Sequence, residues 1–248
     1  MTPAGFIFDR ETERQALRDR LQNRRSFLLH GPAGVGKTLL LTQLLLGLPS
    51  IIYCEASTTP QGVFRSFALS LLSRHDRHVQ ASCRNEATLK AKSALALKGI
   101  VRTALREGSY SLVLDHLQCP SPSFKSFVRE MMESCSTPVI AVARSAHMED
   151  IGSLQSLYPD RSEKYELRNF EPAPAAEFVR QLVSRLGLRA ANLDEFSEKI
   201  IGFSAGNPGA IASMARMARE AKYRSGEQIL LTPLHIDFRM FWEHGTVQ

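Results

Sequence analysis

The segment Gly31-Pro32-Ala33-Gly34-Val35-Gly36-Lys37-Thr38 matches G-x-x-x-x-G-K-[ST] at every fixed position. The chemistry this spacing serves is the binding of a phosphate chain. Glycines let the backbone turn sharply and bring several N–H groups to face one point close to an anion. A helix that starts where the turn ends adds its own unsatisfied N–H groups and the positive end of its dipole. Lys37 then reaches the β- and γ-phosphates, and the Thr38 hydroxyl is a ligand for Mg²⁺. Leu39, next in the chain, completes the candidate nucleotide-contacting run. A Gly-rich turn with an incidental lysine is the competing reading. At average composition the pattern arises in a chain of this length about once in a hundred by chance, and an apolar strand before it and an apolar helix after it tell against accident.

A second acidic position belongs with the first. Leu112-Val113-Leu114-Asp115 is an apolar run ending in a carboxylate. A buried strand of this kind fixes Asp115 beside Thr38, where the two hold Mg²⁺. The residue after Asp115 is His116, where many phosphate-loop enzymes place a Glu to polarise the attacking water. A neutral imidazole accepts a proton, so His116 is one candidate base. Its other reading is packing or hydrogen bonding alone. Glu55, at the end of the preceding strand, is a second candidate carboxylate. The spacing therefore predicts slow hydrolysis or a nucleotide-controlled switch.

Alternating strands and helices must position these groups. Strands are expected at Ser26–His30, Ile51–Cys54, Ser111–Leu114 and Val139–Ala143, with a shorter one at Tyr165–Leu167. Helices are expected from Thr38 to Leu46, from Pro60 to about Leu72, from Glu86 to Arg106, and around Phe124–Met132. Arg74–His78 reads as a loop. Repeated strand–helix alternation predicts an α/β fold, a three-layer sandwich with a mainly parallel sheet and helices on both faces. After Phe170 the pattern becomes helical. Glu171-Pro172-Ala173-Pro174 reads as a linker. We expect a phosphate-loop core over 1–170, a small all-helical lid over 171–225, and a tail over 226–248 whose apolar residues pack on the domain.

The 248 residues are 44% hydrophobic and 23% charged, which excludes whole-chain disorder. No apolar run is long enough to cross a membrane, and Asp9, Glu11 and Glu13 stand where a signal peptide needs its apolar stretch. The four cysteines are scattered with no CxxC pair, against a disulfide scaffold or a zinc site, so a reduced, cytoplasmic protein is expected. The net charge of +6 permits contact with nucleic acid and is equally that of a mildly basic surface.

With these motifs in hand, the chain resembles the AAA+ superfamily over roughly residues 6–220. Within it the resemblance runs to the origin-recognition-like and STAND (signal-transduction NTPase) branches and to ATPases of mobile elements. Phe6-Ile7-Phe8-Asp9-Arg10-Glu11-Thr12-Glu13 is similar to the R-E-x-E helix start that lies near the adenine in those families. Leu114-Asp115-His116-Leu117-Gln118 is similar to their D-E-A-Q, departing at His116. Arg144-Ser145 occupies the sensor-1 place, where a polar side chain senses the γ-phosphate; an ordinary surface arginine is the other reading. Gly206-Asn207-Pro208-Gly209-Ala210-Ile211 resembles the G-x-P motif that starts a lid helix, in which Pro208 approaches the nucleotide. A proline in the first turn of a helix is sound on its own. Arg161 is a candidate arginine finger. The resemblance implies an ATP-binding ATPase that uses Mg²⁺, assembles with further copies of itself on binding ATP, has no membrane role, and acts on DNA or a DNA-bound complex. The alternative it implies is a STAND-type switch, binding ATP or ADP and a protein partner and turning over rarely.

Overall fold

A computed structural model describes residues 10–45, 48, 50–54, 60–115 and 122–243. By contact the chain forms two compact units. One comprises Arg10–Gly31 and Lys37–Leu167; the other includes Pro32–Gly36 and Arg168–Gln248.

The first unit runs α1 (Glu11–Gln22), β1 (Phe27–His30), α2 (Lys37–Leu45), β2 (Ile51–Cys54), α3 (Pro60–Ser73), α4 (Arg77–Ser82), α5 (Glu86–Lys90), α6 (Ala94–Glu107), β3 (Ser111–Leu114), α7 (Pro122–Ser134), β4 (Val139–Ala143), α8 (Met148–Ile151) and β5 (Lys164–Glu166). The five strands form one sheet in the order β2-β3-β4-β1-β5, every pair parallel. Leu29 lies opposite Val142 and Tyr165, and Leu114 opposite Ala141 and Cys54. This register brings the carboxyl ends of β1, β3 and β4 to one edge, where an open α/β sheet places its ligands. β3 and β4 are buried along their whole length, as strands covered on both faces must be, and so they read as unbroken apolar runs. Leu112 and Leu114 share a core with Phe67, Val101, Leu105 and Phe127.

Two expectations change for local reasons. Arg74–His78, read as a loop, contains the start of α4: the Asp76 carboxylate accepts from the N–H groups of His78 and Val79 at 2.9 and 3.1 Å. The single helix expected from Glu86 to Arg106 is two. Asn85 and Thr88 form a reciprocal capping box at the start of α5, and Ser93 caps α6 through Ala96 N–H at 3.3 Å. The two caps give partners to first-turn amides at both helix starts, which lowers the cost of the break at Ala91–Ser93.

The second unit contains α9 (Pro172–Leu186), α10 (Leu193–Ser204), α11 (Pro208–Met217), β6 (Arg224–Ser225), β7 (Gln228–Ile229) and α12 (Leu231–Glu243). The expected linker Glu171–Pro174 is instead the start of α9, because prolines in a first helical turn need no N–H partner. Phe178, Phe196, Ile211, Met214, Tyr223, Leu234 and Phe238 make its core. The antiparallel β6–β7 pair falls where the expected helical lid ends and the tail begins. Asn192 pins it, accepting from Ile229 N–H at 2.9 Å and donating to Ile229 C=O at 3.0 Å. Among the described residues no helix is long and apolar enough to cross a membrane.

Asp76 also accepts from the Tyr110 hydroxyl at 2.9 Å. Asp76→Ala removes the α4 cap and that partner together, and should lower stability by about 2 kcal/mol, against about 1 kcal/mol for Tyr110→Phe. Urea unfolding of the two variants checks this; equal losses would show that the cap contributes nothing.

Candidate functional site

The site begins where β1 stops. Gly31 N–H donates to the Arg144 carbonyl at 3.2 Å, tying the start of the turn to the end of β4. Where the turn ends, α2 starts at Lys37. Lys37 Nζ donates to the Gly31 carbonyl at 2.6 Å. Burial pushes the ammonium down from its usual range to about 8; Asp115 and Asp150 oppose that shift, while Arg144 adds to it. One helical position on, Thr38 Oγ1 donates to Asp115 Oδ2 at 2.8 Å. The Tyr53 hydroxyl on β2 donates to the same carboxylate oxygen, and Asp115 N–H donates to the Cys54 carbonyl at 3.1 Å. Asp115 is 3% exposed. A buried carboxylate without partners is costly, and here hydroxyls from two elements converge on it. His30, the last residue of β1, is held below its usual pKa by burial, against the pull of Glu166.

Within the other unit, the turn residues Pro32–Gly36 meet the start of α11. Gly34 has φ +76°, a conformation glycine adopts without strain. Its carbonyl accepts from Gly209 N–H at 3.0 Å, and the Ala33 carbonyl accepts from Asn207 Nδ2 at 2.8 Å. Pro208 holds the first helical position. A methyl group on Gly209 would sit 2.7 Å from the Gly34 oxygen and 2.8 Å from its Cα, so only glycine allows this approach. On the other flank the Trp242 ring of α12 would meet a methyl group on Gly34 at 2.7 Å.

Of the residues singled out by sequence, the structure brings Lys37, Thr38 and Asp115 together, with Leu39 next on α2. Arg144 follows β4, with its side chain exposed and its charge felt by Lys37. Gly31 belongs to the sheet-bearing unit, and Pro32, Ala33, Gly34, Val35, Gly36 and Pro208 to the other. Arg161 is exposed before β5. Glu55 and His116, the two candidate bases, lie outside the described residues, as do the first three residues of the R-E-x-E segment's flank, Phe6-Ile7-Phe8. Sequence reasoning missed Tyr53 and gave Asn207 no role. The signal for Tyr53 was a phenol in the apolar run Ile51-Ile52-Tyr53-Cys54, because a phenol hydroxyl carried into the interior on such a strand needs a partner.

Residues 7–142 match the family model of the AAA ATPase domain, and the chain belongs to that family. No curated protein matches the chain by sequence. Among solved structures it is similar to a Walker-type ATPase of Pyrococcus abyssi, with TM-score 0.66 and 16% identity over 97% of this chain and 75% of that one. It is also similar to the Orc1 protein of Aeropyrum pernix in complex with DNA, with TM-score 0.64 and 17% identity over 96% of this chain and 66% of that one. The Drosophila origin recognition complex bound to DNA gives TM-score 0.60 and 15% identity, over 98% of this chain and 63% of that one. At these identities the likeness is one of fold: an AAA+ phosphate-loop α/β unit with a helical region.

Lys37 supplies a pH test. Its proton leaves at about pH 8 in the free protein, and a polyphosphate beside it would raise that value again. Binding then takes up a proton above about pH 8, so ATP affinity should fall as the pH rises from about 8 to about 9 and stay level below about 7. Calorimetric titration across that range checks it. An affinity that does not fall above pH 8 would place Lys37 away from the phosphates.

Proposed function

We propose that the chain binds ATP with Mg²⁺ and hydrolyses it slowly, acting on DNA or a DNA-bound complex. The observation that supports this best is the 2.8 Å hydrogen bond between Thr38 Oγ1 and Asp115 Oδ2, one residue from a lysine whose ammonium burial destabilises. A hydroxyl and a carboxylate are hard oxygen donors, suited to Mg²⁺. Thr38 and Asp115 would hold the ion, which when bound neutralises charge on the phosphate oxygens. The turn 31–38, through the N–H groups that follow Pro32, and the Lys37 ammonium bind and orient the triphosphate. Leu39 and Pro208 each contribute a nucleotide contact in this reading, and Arg144 senses the γ-phosphate. In this reading 1–170 works as core, 171–225 as lid and 226–248 as a tail packed on the domain, and further copies assemble on ATP binding.

The attacking water must lose a proton, and a positioned base contributes roughly 10²–10⁴-fold. With His116 following Asp115, that contribution is incomplete in the isolated chain, hence slow turnover. DNA is proposed from the +6 charge and from the fold shared with proteins solved on DNA. The chain spans about two thirds of those chains, so their whole activity does not transfer with the fold.

Single-turnover hydrolysis of labelled ATP, with and without duplex DNA, tests the reading. Slow cleavage that DNA accelerates, with DNA affinity falling steeply as salt rises, is expected. Slow cleavage indifferent to DNA would point instead to the protein-binding STAND-type switch.

Two sets of variants refine the assignment. Lys37→Ala should abolish Mg·ATP binding in a folded protein. Asp115→Asn should cut hydrolysis by roughly 10²-fold and affinity far less, since it keeps shape and loses charge. Unchanged affinity in Lys37→Ala, or unchanged turnover in Asp115→Asn, removes the corresponding residue from the site. If Glu55 is the base, Glu55→Gln stops turnover and His116→Ala barely matters; if the His116 position limits the rate, His116→Glu speeds it. Brisk turnover that survives both Glu55→Gln and His116→Ala points to a base from another subunit or partner.

A further inference from the structure

We propose that Asn207 is a positioning residue for the phosphate-binding turn: its side-chain amide fixes the Ala33 peptide plane and, with the Gly209 N–H, sets where the turn's own amides point. This rests on the reading that the turn holds phosphate.

Asn207 is 6% exposed and its amide is fully engaged. Oδ1 accepts from Ala210 N–H at 3.1 Å, capping α11. Nδ2 donates to the Ala33 carbonyl at 2.8 Å and to Asn169 Oδ1 at 3.1 Å. Asn169 is itself oriented, donating through Nδ2 to the Ala205 carbonyl at 3.1 Å. Turning the Asn207 amide over would set its oxygen against two oxygens and its NH₂ against an N–H, so the network admits one orientation. Capping alone does not require asparagine, because serine, threonine and aspartate cap as well. What asparagine adds is a donor on the same rigid plane as the capping oxygen.

The consequence follows from peptide planarity. In a trans peptide C=O and N–H point in opposite directions. With the Ala33 carbonyl held by Asn207, the Gly34 N–H points away from α11. With the Gly34 carbonyl held by Gly209 at 3.0 Å, the Val35 N–H does too, and without a ligand it donates at a long 3.4 Å to the Pro32 carbonyl within the turn. Gly34 and Val35 are interior residues of the turn, whose amides face the anion in a phosphate-binding loop. Asn207 therefore acts through the turn's backbone and need not touch the ligand.

The test compares Asn207→Asp, Asn207→Ser and Lys37→Ala with the unaltered chain. Aspartate and serine keep a capping oxygen and lose the amide donor; serine does so without adding charge. The first readout needs no nucleotide: amide hydrogen exchange by NMR. Exchange at Val35, whose N–H has a partner to lose in the Pro32 carbonyl at 3.4 Å, should rise about tenfold in both Asn207 variants, with α11 amides and melting temperature little changed. The second is calorimetric ATP affinity, expected to weaken about tenfold in both. Turn amides and ATP affinity unchanged in folded Asn207→Asp, or faster exchange confined to α11, would reduce Asn207 to a helix cap and overturn the proposal. If the unaltered chain binds no ATP, the functional reading fails, while the exchange comparison still decides the role of Asn207.

Discussion

A carboxylate at the end of a wholly apolar strand is the constraint around which the sheet-bearing unit is arranged. A carboxyl group at 3% exposure is costly without hydrogen-bond donors, and the fold supplies them from neighbouring elements. The Thr38 hydroxyl arrives because α2 starts directly after the turn; the Tyr53 hydroxyl arrives because β2 pairs with β3 in a register that sets Cys54 opposite Leu114. Shifting that register by one residue would turn Tyr53 to the opposite face of the sheet. The buried core around Leu112 and Leu114 thus does more than stabilise: it fixes the depth at which the acid sits.

Lys37 shows the same economy with opposite sign. Burial strips its solvation and weakens its hold on a proton, while Asp115 and Asp150 restore part of it. A cation so placed discriminates sharply between an empty setting and one with a polyanion beside it, because the ligand supplies the charge that the protein only partly provides.

Much of this was legible from residue order. The four strong strands were visible as apolar runs because both their faces are covered, and the turn was visible because its chemistry fixes residue types at fixed offsets. What escaped was set by side-chain partners distant in sequence or by local caps. The capping box at Asn85–Thr88 splits a helix that hydrophobic periodicity reads as continuous. Asp76 converts a polar stretch into a helix start through two amides and a distant phenol. Tyr53 is one phenol in an apolar run, and Asn207 one polar residue before a proline; their importance lies in meeting Asp115 and Ala33, contacts that no periodicity encodes. Pro172 and Pro174 misled in the other direction, since prolines mark both linkers and first helical turns.

The five residues Pro32–Gly36 group by contact with the helical unit although the residues on either side group with the sheet. That arrangement bears on how such proteins diversify. A recombination event joining the sheet half of one relative to the helical half of another, with its crossover at the obvious boundary near Leu167, would separate Gly209 from the only backbone against which its missing side chain makes sense. A viable chimera must carry the turn along with the start of α11, as one inherited piece interleaved with the other. The heritable module is therefore discontinuous in sequence, with its seams at the two ends of the glycine-rich turn, between Gly31 and Pro32 and between Gly36 and Lys37.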